Sequence, residues 1–223
     1  MLVQKIRKVL ITVVILVLTV GAAALSYYTY ESRYFFTTED AQVTARMVAL
    51  TPEVTGKLRN WEVREGDYVR SGQVLGTQDV NNSASSPSAA LTNAEIKSPI
   101  DGKVIQTNVV KGQVVAPGLE IATIADTSNV YIKANIEETD IFRIQPGQPV
   151  DIRIDAYPGR EFKGLVRSIG QATNSAFSQF PSLNTSGTFS KVTQLIPVEI
   201  TLLDVDNLPL MIGMNATVKI HIR

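Results

Sequence analysis

The chain has 223 residues, room for one or two small domains beside a targeting segment, and its 21 Lys and Arg balance 21 Asp and Glu. A formal charge of zero provides no polyanion-binding surface, which argues against nucleic acid as a partner. With no cysteine there are no disulfides, thiolate metal sites, Cys nucleophiles or lipid attachment through a thiol, and the lone His221 has no second His with which to build a zinc or catalytic site.

The first element is an anchor. Residues 9–28 run VLITVVILVLTVGAAALSYY without a charge, and twenty helical residues span about 30 Å, one hydrocarbon core. Eleven of them are Val, Ile or Leu, which favours insertion by several kcal/mol at ~0.3 to 0.6 kcal/mol each. Lys5, Arg7 and Lys8 precede the run, so residues 1–8 are expected in the cytoplasm, 9–28 in the membrane and the rest outside, with Tyr27, Tyr28, Tyr30 and Tyr34 near the outer interface. Ala22-Ala23-Ala24 resembles a signal-cleavage site, but the apolar run is longer than a signal peptide needs. Residues 29–46 read as a linker with a first strand leading in.

Next comes an internal repeat. Gly56, Gly66 and Gly72 correspond to Gly102, Gly112 and Gly118, each pair 46 residues apart. The match extends to Leu58 and Val104, Val63 and Val109, Val69 and Val115, and Leu75 and Ile121. Short β-rich runs between such glycines predict one backbone path used twice, with the six glycines at turns or close approaches. The duplicated pattern, over residues 47–126, resembles the lipoyl/biotinyl-like barrel-sandwich hybrid domain. In carrier enzymes with that domain a Lys at the joint between the halves bears the cofactor. Here the joint, residues 80–95, reads VNNSASSPSAALTNAE and has no Lys, so no cofactor is expected; its Ser, Asn and Pro content predicts a polar loop.

Residues 127–223 read as a small β-barrel. A strand is followed by a short helix that Glu137, Glu138 and Asp140 open and Pro146-Gly147 ends; three exposed carboxylates at a helix start need no metal ion to explain them. Val150, Ile152 and Ile154 alternate with Asp151, Arg153 and Asp155 as in a half-buried strand, and Tyr157-Pro158-Gly159 turns the chain. A Ser/Thr/Asn-rich loop with Phe177, Phe180 and Phe189 follows; these rings either anchor the loop on the barrel or contact a partner. Two more strands, 197–203 and 214–222, complete a mainly β chain, with His221 on the outward side of the last.

Anchor, two half-motifs, Ser98-Pro99-Ile100-Asp101-Gly102 and Gly147-Gln148-Pro149-Val150 occur in the order of the HlyD and EmrA type of membrane fusion protein, which the whole chain resembles. Residues 155–160 and 170–200 are similar to the barrel of the EmrA-like branch. The resemblance implies a non-enzymatic, extracytoplasmic adaptor of a multidrug or small-molecule exporter, held in membrane lipid by one span. It also implies a homo-oligomer with an integral membrane transporter as partner, of the major facilitator type, or else ATP-driven. No catalytic, cofactor or metal residue is expected. An envelope structural or sensory protein built on the same β modules is the alternative. Between Gln78 and Ile96 there is no room for the long helical hairpin of many relatives, which predicts work at a single membrane, in a Gram-positive cell.

Overall fold

The computed structural model describes residues 2–80, 92–177, 193–203 and 208–222, with backbone alone for 2–14, 24, 32, 92 and 177. It opens with one helix, α1 (Leu2–Tyr34), which contains the whole uncharged run, and continues without a break into strand β1 (Phe35–Thr44). From Ile15 to Tyr30 every described side chain of α1 is exposed, on all sides of the helix. Among the described residues no helix is long and apolar enough to cross a membrane, the fully described part of α1 starting only at Ile15. The chain divides into two compact units, residues 43–131 with 210–212, and residues 1–42 with 132–209 and 213–223.

The unit of residues 43–131 holds eight strands: β2 (Met47–Leu50), β3 (Gly56–Trp61), β4 (Tyr68–Val69), β5 (Val74–Val80), β6 (Thr92–Lys97), β7 (Gly102–Thr107), β8 (Val114–Val115) and β9 (Ala122–Ala125). They form two four-stranded sheets, β2-β9-β7-β4 and β6-β5-β3-β8. The halves exchange strands. β4 of the first half pairs with β7 of the second, Val69 opposite Gly102, while β8 of the second pairs with β3 of the first, Val115 opposite Gly56. Even the irregularities repeat: β3 shifts register against β5 between Leu58 and Asn60, and β7 against β9 between Val104 and Gln106. All four apolar pairs of the sequence repeat lie in one buried core with Leu50, Ile96, Ala122 and Ile124, and Trp61 and Ile100 pack against it. Each fully buried aliphatic side chain there contributes about 1.5 to 3 kcal/mol, an upper estimate. The joint is shorter than the polar sequence suggests. Residues 92–95 belong to β6, which pairs with β5 up to Val80 opposite Thr92, because a strand at a sheet edge keeps polar residues on its wet side. The rest of the expected loop, 81–91, lies outside the described residues.

The other unit is a closed six-stranded barrel, β1-β10-β13-β12-β11-β14, with β10 (Tyr131–Glu137), β11 (Pro149–Ile154), β12 (Phe162–Ile169), β13 (Leu195–Leu202) and β14 (Asn215–His221). Period-2 alternation buries Ile132, Ala134 and Ile136 of β10, Val150, Ile152 and Ile154 of β11, Phe162 and Val166 of β12, Val198 and Ile200 of β13, and Val218 and Ile220 of β14. Two features depart from the sequence reading. The barrel is not confined to 127–223: β1 closes it by pairing with β14, so the sandwich unit is inserted between the barrel's first and second strands. The helix expected after β10 is also absent. Glu137 is the last residue of β10, and only a single 3-10 turn, Ile141–Arg143, follows, preceded by Asp140 without a side-chain cap. Alternating Ile132, Ala134 and Ile136 carry the strand through Glu137, and the eight residues left before Pro146 cannot supply a costly helix nucleus with enough turns to offset it.

Candidate functional site

The repeat glycines occupy two kinds of position, the same in both halves. Gly66 and Gly112 have φ of 95° and 91°, and Gly72 and Gly118 have 79° and 88°, the left-handed region where a side chain is strained. Gly66 N–H donates to Val104 O at 2.8 Å, and Gly112 N–H to Leu58 O at 2.8 Å, so each turn is tied to the opposite half. Gly56 and Gly102 have ordinary φ, and what they supply is space. A Cβ at Gly56 would lie 2.7 Å from Asp79 O, and one at Gly102 2.3 Å from Ala125 O. Gln78 breaks the symmetry in the core. It is buried where the second half has Ile124; its Nε2 donates to Val54 O at 3.1 Å and its Oε1 has no partner.

Among the described residues the densest polar cluster lies on the barrel, where α1 meets β1 and β14. Ile222 N–H donates to Tyr34 O at 2.7 Å, closing the helix end onto the last strand. Lys219 Nζ reaches Glu31 Oε1 at 2.8 Å and lies 4.3 Å from the centre of the Phe35 ring. Phe35 stands edge-on to His221 with centroids 4.9 Å apart, His221 Nε2 is 2.8 Å from Asp151 Oδ2, and Lys163 Nζ donates to Asp151 Oδ1 at 2.6 Å. Strand alternation produces this row: Val218 and Ile220 go inward, so Lys219 and His221 face out beside Asp151 of β11 and Lys163 of β12. Partial burial pushes the Asp151 carboxyl up, but hydrogen bonds from Lys163 and His221 outweigh it and hold the group below its ordinary value. The same contact with Asp151 raises Lys163. His221 faces outward as its alternation predicts, but it is paired and only 40% exposed. Sequence could not reveal the pairing, because β11 and β14 are far apart in the chain and become neighbours only in the folded barrel.

Beside this row lies a hollow of about 580 Å³ at the same end of the barrel. It is lined by Arg33, by Phe142, Arg143 and the 145–149 turn, and by His221 and Ile222. Phe142 is 90% exposed although it sits between buried Ile141 and Ile144. Those isoleucines, three apart, tie the 3-10 turn to the core and leave the ring outside. The sequence reading missed Phe142 by assigning its segment to a polar helix; an aromatic residue between two buried isoleucines was the available signal. Of the rings singled out in the sequence, Phe177 ends a 3-10 turn, Asn174–Phe177, of which only the backbone is described, and Phe180 and Phe189 lie outside the described residues. No group of three or more acidic or His side chains placed to hold a metal ion occurs among the described residues.

Comparison with known proteins matches both units to family models. Residues 46–126 match the YhbJ barrel-sandwich hybrid domain, and residues 130–220 the YknX-like β-barrel domain. YhbJ of Bacillus subtilis (strain 168), a candidate efflux system component, is 38% identical over 194 residues, covering 85% of this chain and 81% of that protein. The multidrug export protein EmrA of Haemophilus influenzae is 36% identical over 168 residues, 74% of this chain but only 41% of that protein. In fold, the chain is similar to the crystal structure of MacA from Actinobacillus actinomycetemcomitans, with a TM-score of 0.64 at 18% identity, covering 86% of this chain and 80% of that one.

Proposed function

Since this chain belongs to the membrane fusion protein family of the HlyD and EmrA type, we propose that it is the membrane-anchored, extracytoplasmic adaptor of a small-molecule efflux system. In this reading it catalyses nothing, forms a homo-oligomer and acts beside an integral membrane transporter. The observation that carries this is the join of helix to barrel. α1 runs directly into β1, and Tyr34–Ile222 and Glu31–Lys219 contacts tie its last turn to β14. The barrel is thus built on the end of the anchor rather than hung from it by a linker. An apolar helix exposed on all sides suits lipid, the tyrosines at 27, 28, 30 and 34 suit an outer interface, and Lys5, Arg7 and Lys8 suit a cytoplasmic start. The likeness of residues 155–160 and 170–200 to the EmrA branch favours a transporter of the major facilitator type.

The joint supports work at one membrane. β5 and β6 are paired up to Val80 and Thr92, and eleven residues going out and back reach about 18 Å even when fully extended.

Two measurements test the reading. Cysteine placed at Ser83 should react with a membrane-impermeant maleimide in intact cells, while cysteine at Lys5 should react only after lysis; the reverse pattern would refute the topology. Deleting the gene should sensitise cells to a toxic compound as much as deleting the partner transporter, with no further effect in the double deletion. Strictly additive phenotypes would refute a shared complex.

A further inference from the structure

Phe142 has no role in holding the barrel together. Its ring is 90% exposed, while Ile141 and Ile144 on either side secure the turn. It shares its hollow with Arg33, one residue from the end of α1. If α1 is the anchor, the height of this hollow above the membrane follows from helix geometry. Six residues separate the end of the expected span at Tyr28 from Tyr34, a rise of about 9 Å, and the headgroup zone on each side of the hydrocarbon is roughly 5 to 7 Å deep. The barrel end that carries Phe142 therefore starts at the outer edge of the headgroups, within reach of one aromatic side chain.

The charges around the ring fit that position. Glu31 is neutralised by Lys219, Asp140 by Arg143 at 3.2 Å, and Asp151 by Lys163. Arg33 is exposed and lines the hollow, where its guanidinium could donate to a lipid phosphate. An exposed aromatic ring with a cation beside it, at this height, has the composition of an interfacial contact.

We propose that Phe142 and Arg33 form a second membrane contact, the ring entering the headgroup region of the outer leaflet while the guanidinium holds a lipid phosphate. Two points, the helix and the ring, then fix the rotation of the barrel about the anchor, which one helix alone leaves free. The proposal rests on the anchor reading above, and its test separates the two.

The chain has no native cysteine, so single cysteines at Phe142, Tyr27 and Asp155 can each carry an environment-sensitive fluorophore. Position 142 is exposed enough for the change not to threaten folding. Asp155 follows the far end of β11 from the hollow and serves as the distant control. The full chain is reconstituted in vesicles of phosphatidylcholine and phosphatidylglycerol containing a headgroup-level nitroxide lipid. Quenching at 142 should exceed that at 155 by roughly twofold or more, with blue-shifted emission, as for a group at the interface. In the Arg33→Gln variant the excess should fall. If 27 is quenched but 142 behaves like 155, the proposal is wrong and the anchor stands. If neither 27 nor 142 is quenched, the anchor reading fails and this inference with it. A label at 142 that is unquenched in lipid alone but blue-shifts when the transporter is added would make this a protein-docking surface and overturn the lipid assignment.

Discussion

The first half of the sandwich, residues 56–79, and the second, residues 102–125, share a backbone almost to the hydrogen bond, yet differ in chemistry at a fully buried core position. Glycines, register shifts and strand exchange all recur 46 residues apart. Gln78 and Ile124 occupy equivalent buried positions with opposite chemistry. The difference shows which features the fold requires twice. Backbone conformation and close approach must be satisfied in each half separately, because each half contributes one exchanged strand. Core filling is shared by both halves, so one amide is tolerated beside twelve buried apolar residues.

The hardest test of the equivalence is at the close approaches. Gly102→Ala puts a methyl 2.3 Å from Ala125 O and 2.8 Å from Ala125 C, backbone that cannot swing aside. It should cost about 3 kcal/mol, and Gly56→Ala, at 2.7 Å from Asp79 O, about 2. Gly66→Ala and Gly112→Ala meet nothing nearer than a Lys Cε at 3.9 Å, so each pays only for the left-handed backbone, about 1 to 2 kcal/mol. Urea unfolding of the detergent-solubilised chain, followed by fluorescence of Trp61 against the sandwich core, ranks the four. A Gly102→Ala cost no larger than that of Gly112→Ala would break the two-class assignment.

The second test exchanges the chemistry of the Gln78 and Ile124 positions. Ile124→Gln buries an amide where the carbonyl equivalent to Val54 O, that of Ile100, already accepts from the Ser98 hydroxyl, and should cost about 2 to 4 kcal/mol. Gln78→Leu gives up the bond to Val54 O but also removes an unpaired buried oxygen, and should remain within about 1 kcal/mol of the parent. The same Trp61 unfolding curves decide it. A loss for Gln78→Leu as large as for Ile124→Gln would mean that the amide is required, and the asymmetry would then be a structural device rather than a tolerated substitution.

How much of this was legible in the sequence follows from how local each determinant is. The repeat could be read because Gly56 to Gly72 and Gly102 to Gly118 carry their conformational demand at the residue itself. The alternation of Val150, Ile152 and Ile154 likewise marks β11 directly. The barrel's first strand could not be read in this way. Residues 35–44 become a barrel strand only because β14, near the other end of the chain, is there to pair with them. The Asp151–His221 pair likewise depends on a non-local pairing, that of β11 with β14. Glu137, Glu138 and Asp140 suggested a helix start by charge alone, and the burial of Ile132, Ala134 and Ile136 overrode that weak preference. The resemblance to membrane fusion proteins was legible because it rests on the order of local motifs, whereas Phe142 became visible only when the folded turn left it uncovered.

The smallest predicted difference between the halves lies at their last strands. The second half ends at Asp126, whose carboxylate accepts from the Ser128 hydroxyl and, at 2.8 Å, from Asn129 Nδ2; the equivalent residue of the first half is the uncharged Val80. The bonds from Ser128, then Asn129, hold the Asp126 carboxyl below its usual 3.8. A carboxyl depressed in the folded state stabilises the fold above its unfolded value, and that stability is lost as pH falls through the folded value. The second half should therefore lose stability from about pH 4 downward on account of this group, and the first half has no counterpart. Because the carboxylate is only partly covered, solvent screening keeps the effect to about 0.5 kcal/mol. Asp126→Asn should be less stable than the parent by that amount at pH 6, and the difference should shrink as pH falls below 4, in Trp61-monitored urea unfolding. Parallel pH profiles for the two proteins would mean that the Asp126 turn does not anchor the end of the repeat, and the acid response would then have to come from groups common to both halves.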